Sequence, residues 1–179
     1  VIYITYEDSV VTSLGIWKKM QAQYRVFKKA FGNAYYTLYR GQMMHLFKDG
    51  EMIEKTLAIT KKECNEALIN WMMKYKLNRS YIRYDFADKY FLDFLQKQEK
   101  LGIKSVLEFP TVPYDGLFSK QVVAEDYYYR EQLYKYVKCC TTFSDVEKVF
   151  NIPCITLVNG VDINEQKEKQ YRKRDGSII

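Results

Sequence analysis

The sequence predicts an α/β fold: a Rossmann-like, mainly parallel sheet with helices on both faces and a β-hairpin insertion. Three observations carry the prediction. Short β-branched and aromatic runs alternate with longer amphipathic ones along the 179 residues, as in crossover βαβ units. In the longer runs the apolar residues recur at helical spacing. Asp49-Gly50 stands between two alternating segments, a strong signal for a type I′ hairpin turn.

Taken in order, "VIYITY" (1–6) is a strand by its β-branched and aromatic content. A polar loop with Gly15 leads into a helix over 17–31, where Trp17, Met20, Tyr24, Phe27 and Phe31 form one apolar face. Gly32-Asn33 ends it. "AYYTLYR" (34–40) is the second strand, and 42–59 form the hairpin. A helix over 61–76 leads to the strand "SYIRY" (80–84), and a helix over 88–101, closed by Gly102, leads to "IKSVLEF" (103–109). A long aromatic helix is expected over 117–136, then the strand "KCCTTF" (138–143). Ser144 reads as the cap of a short helix through Phe150, and "CITLV" (154–158) as the last strand. Residues 1–162 thus read as one domain and the polar 163–179 as a charged linker. The chain, from Val1 to the apolar "GSII", reads as a piece of a longer protein.

Composition narrows the chemistry. Hydrophobic residues make up 47% and charged residues 28%, ordinary for a globular domain. No apolar run has the length of a membrane span or a signal-peptide core. The four cysteines (Cys64, Cys139, Cys140, Cys154) show no CxxC spacing, and the single His45 is far from them in sequence. They read as reduced, buried thiols of a cytosolic protein, and no metal site is expected. The net charge of +6 is concentrated: residues 17–31 carry Lys18, Lys19, Arg25, Lys28 and Lys29 with no acid. The remainder is near neutral, unlike the broad basic footprint of a nucleic-acid binder.

In a parallel α/β sheet, ligands bind beyond the carboxyl ends of the strands, so the residues just after each strand are the candidates. Gly15, ahead of a basic helix, either approaches a phosphate at the helix N-terminus or makes a plain turn. Neither a GxGxxG nor a GxxxxGK[ST] pattern is present, which disfavours a nicotinamide-binding fingerprint and a P-loop NTPase. Arg83 ends an otherwise apolar strand. It either grips an anion at the crevice or pairs with a neighbouring acid, Glu108 or Asp85. After Glu108 comes "PTVPYDG", where Pro110 and Pro113 stiffen the backbone. That stiffness either fixes Thr111, Tyr114 and Asp115 as a preorganised site or makes a rigid cap. The last strand runs into Asn159, Gly160, Val161 and Asp162.

In their order, "SLGIWKKMQAQ", "YIRYD", "LEFPTVPYD" and "ITLVNGVD" resemble the amino-terminal domain of a bacterial GT-B glycosyltransferase of the family 4 type, found in capsule and exopolysaccharide synthesis. The resemblance spans about residues 1–162. It implies an enzyme that moves a sugar from a nucleotide sugar to a glycan or lipid-linked acceptor between two Rossmann-like domains. Retention of anomeric configuration and no metal or other cofactor are implied as well. Gly15 would lie near the donor phosphates. Arg83, Glu108, Thr111, Tyr114 and Asp115 would line the acceptor side, and Asn159, Gly160 and Asp162 the approach to a donor-binding domain. This chain departs from the family in having one first-loop glycine where many relatives have two. It also lacks the histidine that many carry at the strand end near Glu108, so no catalytic residue is assigned. On the first helix, Lys18, Arg25 and Lys29 fall within roughly 40° of one another. They read as a solvated stripe or, for a lipid-linked acceptor, as a face toward an anionic membrane at the cytoplasmic side. The reading from another class is a non-catalytic, flavodoxin-like binding or regulatory module.

Overall fold

The computed structural model describes residues 1–6, 14–110 and 119–157. The elements are β1 (Ile2–Ile4), α1 (Leu14–Phe31), β2 (Tyr35–Arg40), β3 (Met43–Lys48), β4 (Glu51–Leu57) and α2 (Lys61–Lys74). They continue with β5 (Arg79–Arg83), α3 (Lys89–Lys100), β6 (Lys104–Phe109), α4 (Lys120–Arg130), a 3₁₀ turn (Leu133–Lys135), β7 (Cys139–Thr142), β8 (Lys148–Val149) and β9 (Ile152–Thr156). The strands form one nine-stranded sheet in the order β4-β3-β2-β1-β5-β6-β7-β9-β8. From β2 to β9 every neighbouring pair is parallel, while β3, β4 and β8 join antiparallel at the two edges. This is the mixed, mainly parallel α/β architecture expected.

β1 has β2 on one side and β5 on the other. The crossover through α1 therefore runs one way along the sheet and the crossover through α2 runs the other. Because such crossovers are right-handed, the two helices fall on opposite faces, and the core divides accordingly. One face buries Leu68, Trp71, Met72, Phe91, Phe94 and Leu133 against Ile2, Ile4, Ile82 and Leu107. The other buries Met20 and Tyr24 of α1 against Tyr3, Tyr36, Leu38 and Tyr81. Each fully buried large side chain contributes about 1.5–3 kcal/mol.

Local signals explain most boundaries. Asp49 and Gly50 both take positive φ (55° and 85°), as the type I′ turn requires. Thr60 and Glu63 form a capping box at the start of α2, and Asp88 caps α3 by accepting from the Phe91 N–H at 2.7 Å.

Three expectations are corrected. Gly15 lies inside the first turn of α1, not ahead of the helix, because the helix begins at Leu14. The long aromatic helix stops at Arg130 and gives way to the 3₁₀ turn. In place of a short helix after Ser144, β8 and β9 form a hairpin turning at Phe150 and Asn151, both at positive φ (48° and 62°). The Ser144 carbonyl accepts from the Thr156 hydroxyl (3.4 Å) and the Val146 N–H (3.0 Å). Phe150 holds its unusual backbone because its ring is packed on Phe109 (centroids 5.3 Å apart) and lies under the Arg130 guanidinium (4.5 Å).

Candidate functional site

Register determines which side chains meet at the carboxyl edge. Tyr3 is opposite Tyr81, Arg83 opposite Glu108, and Glu108 opposite Thr141. Partners in register share a face and side chains alternate along each strand, so all five project toward α1. Glu108 is completely buried. Its carboxylate accepts from the Tyr3 hydroxyl at 3.0 Å, from Arg83 Nη1 at 3.3 Å and from Lys19 Nζ at 2.6 Å. Lys19 comes from the second turn of α1 and also lies 3.5 Å from the Phe143 ring centroid. Beside this group, the Tyr81 hydroxyl and Thr141 Oγ1 are 2.7 Å apart. A buried carboxylate in an apolar sheet is tolerated only when paired and hydrogen-bonded, and here three donors from three elements surround it. Burial, then the Glu108 charge, push the Tyr3 phenol well above its ordinary value. Burial followed by the same carboxylate does so for Tyr81.

Arg83 is thus paired with Glu108, the partner that the sequence reading set against an anion grip. Gly15 is exposed and stands one helical turn before Lys19, on the same side of α1. The structure brings Gly15, Arg83 and Glu108 to the same edge, beside the point where strand order reverses between β1 and β5. Thr111, Tyr114, Asp115, Asn159, Gly160 and Asp162 lie outside the described residues. Lys18, Arg25 and Lys29 are exposed on α1.

Sequence reasoning missed several members of this edge. Lys19 was counted only as charge, although its position off the outward stripe was the available clue. A second polar group holds the loop between β5 and α3 from the opposite face. Asp126 of α4 is buried, accepts from the Ala87 N–H at 2.6 Å and from the Tyr84 hydroxyl, and pairs with Arg130 at 2.9 Å. Lys61, at the start of α2, donates to the Phe86 carbonyl at 2.6 Å and lies 3.7 Å from Asp88. Its ammonium is 3.5 Å from the Phe86 ring centroid, and burial lowers its pKa against the pull of Asp88, Asp85 and Asp126. The loop carrying Asp85 is therefore fixed from two helices.

Among the described residues no cluster of His, Cys, Asp and Glu could hold a metal ion. All four cysteines are free. Cys140 stands opposite Cys154 in register, and its thiol is pushed up by burial first and then by Cys154. No described helix is long and apolar enough to cross a membrane. Comparison of the chain with protein-family models, with curated proteins and with solved structures found no match.

Proposed function

We propose that the chain is the acceptor-side, amino-terminal part of a GT-B glycosyltransferase. It would move a sugar from a nucleotide-sugar donor to a glycan or lipid-linked acceptor in cell-surface polysaccharide synthesis. The observation that carries the reading is the convergence of the first turns of α1, Arg83 and Glu108 at the carboxyl edge, next to the strand-order reversal. Ligands of parallel α/β sheets bind at such a place. The first turn of α1, at the positive end of the helix dipole, suits the donor phosphates. Arg83, steadied by Glu108, suits an anionic or polyhydroxylated acceptor, and a loop clamped by Asp126 and Lys61 gives that edge a fixed shape. Most of the donor would be held by a further domain, so transfer needs both parts to orient the reactants.

The test is transfer of labelled sugar from a panel of nucleotide sugars by the full-length gene product and by residues 1–179 alone. Transfer by the first and none by the second is expected; turnover by residues 1–179 alone would overturn the division of labour. In the full-length protein, Arg83→Lys keeps the charge but loses the planar fork. It should lower kcat/KM about tenfold, the scale of one charged hydrogen bond. An unchanged value would leave Arg83 as a structural partner of Glu108.

A second reading has its own observation. The parallel strands run β2-β1-β5-β6-β7-β9, the flavodoxin-like order extended by one strand, which supports a non-catalytic binding or regulatory module. A full-length product that transfers no sugar, yet binds a ligand lost on Arg83 substitution, would favour it.

A further inference from the structure

The helices that lead into parallel strands all end at the amino edge of the sheet, the edge opposite the candidate site. Exposed cations collect there. Arg79 and Lys104 open β5 and β6 and stand opposite each other in register. Lys138 precedes β7, the next strand of the sheet. Lys76 lies in the turn before β5, Lys100 ends α3 and Lys135 ends the 3₁₀ turn. Neighbouring strands are about 4.8 Å apart, so the starts of β5, β6 and β7 span only about 10 Å.

These charges are not neutralised. None of the six forms an ion pair among the described residues, and the contacts they make are to neutral groups. Arg79 donates to the Asn78 side chain at 3.1 Å and lies over the Phe31 ring. Lys135 donates to Gln132 Oε1 at 3.4 Å, and Lys138 to the Lys135 carbonyl at 3.1 Å. The acids of the same stretches, residues 75–79, 99–104 and 131–138, are Glu99 and Glu131. Cations at a helix C-terminus offset its negative pole, which accounts for Lys100, Lys135 and Lys138. It does not account for Arg79 and Lys104, which open strands, or for Lys76. Lys76 takes a φ of 53° where α1 and α3 are followed by Gly32 (71°) and Gly102 (73°). Its side chain is therefore present at a backbone cost.

We propose that this amino edge binds an acidic, extended segment of a partner protein, its acids set between apolar side chains. Charge complementarity selects the acids. Leu101 (48% exposed) and Tyr134 (45% exposed) stand among the cations and select the apolar residues between them. A second copy of this chain would bring cations against cations. A single-stranded nucleic acid stacks its bases on open aromatic rings along a basic groove, whereas Arg79 already covers Phe31. A bilayer takes up a continuous apolar face, and two separate side chains do not form one. The partner would sit away from the carboxyl edge and leave the candidate site open. The proposal does not rest on sugar transfer, and its test involves none.

The experiment measures binding of the full chain to fluorescein-labelled peptides by anisotropy, at low and physiological salt. The first peptide carries Leu at every third position between glutamates. A second has Ser for each Leu, and a third has Lys for each Glu. The first is expected to bind and to weaken with salt, the second to bind about fivefold more weakly, and the third not to bind. Changing Lys76, Arg79 and Lys104 to Gln should lower affinity roughly threefold per residue. Leu101→Ser should lower it about fivefold for the first peptide and leave the second unchanged. Changing Lys62 and Lys89 to Gln, at the starts of α2 and α3 on the opposite edge, should leave binding intact. All of these side chains are exposed, so their replacement opens no cavity, and unfolding curves check each variant. Equal binding of the first and third peptides, indifference to the amino-edge substitutions, or an equal loss in the Lys62 and Lys89 variant overturns the proposal. So does tighter binding of a single-stranded oligonucleotide or of phosphatidylglycerol vesicles, lost in the same Gln variant, which would assign the edge to phosphate.

Discussion

On the face carrying α2, α3 and α4, the sheet is closed mainly by the apolar Leu68, Trp71, Met72, Phe91, Phe94 and Leu133, with the buried Asp126–Arg130 pair under the loop after β5. On the face carrying α1, closure depends on Met20 and Tyr24 and then, toward β6, on a carboxylate enclosed by a tyrosine, an arginine and a lysine. The first arrangement draws stability from volume and tolerates no cavity. The second draws little net stability, since desolvating the charges offsets much of their attraction, but it fixes several side chains at the carboxyl edge. A fold with no further role for that edge could have filled the second site with apolar residues. The contrast identifies the α1 face as the one to probe for function.

The largest expected effect breaks the charged group. Glu108→Ala leaves Arg83 and Lys19 beside an emptied, buried position and should destabilise the protein by about 3–5 kcal/mol, read from urea unfolding. The double variant Glu108→Leu, Arg83→Met should recover most of that loss, because apolar groups of similar volume replace such pairs at little cost. A double variant as unstable as Glu108→Ala would mean that the network is held by packing. On the opposite face, Leu68→Ala removes volume from the apolar layer and should cost about 3 kcal/mol, with no partner substitution able to restore it.

Much of this contrast was legible in the residues. Arg83 and Glu108 stood out as charged residues in apolar strands, and the hairpin at Asp49-Gly50 followed from turn chemistry. Lys19 was not legible as a partner of Glu108, because its reach depends on how α1 is rotated above the sheet. The Asp126 clamp was hidden for another reason: Tyr84 and Asp126 are 42 residues apart in sequence. Nothing local in "AEDYYYR" marks which acid turns inward. The β8–β9 hairpin was misread because Val146, Val149 and Phe150 fit helical spacing, and its turn is Phe-Asn in place of the usual Asn-Gly.

A third prediction compares the faces by pH. Tyr3 and Tyr81 on the α1 side, and Tyr6 and Tyr84 on the other, are all raised above the ordinary phenol value, in each case chiefly by burial. In the unfolded chain these phenols ionise near pH 10, releasing protons that the folded chain retains. Their stabilisation is complete below pH 10 and is lost as pH rises above it, by up to about 1.4 kcal/mol per pH unit for each group. Tyr3→Phe and Tyr84→Phe should each reduce that slope by one group's share between pH 10 and 11. A slope that changes for one face alone would show that the other phenol reaches solvent before the fold opens.

The smallest effect tests whether the carboxyl edge is set by local caps or by the clamps above it. At the start of α2, Thr60 accepts from the Glu63 N–H at 3.2 Å, while Glu63 accepts from the Thr60 N–H at 2.8 Å. Thr60→Ala should cost about 1 kcal/mol. Adding Glu63→Ala should cost less than the sum of the two single changes, because each side chain holds the other's hydrogen bond. Lys61 follows the cap directly and reaches Phe86 and Asp88 in the next loop. If the clamp sets the loop, amide exchange at Phe86 and Ala87 should speed up in Lys61→Met and stay unchanged in Thr60→Ala. Faster exchange in both would place the loop under the cap's control, and the apolar face would then share in shaping the edge that the α1 face presents.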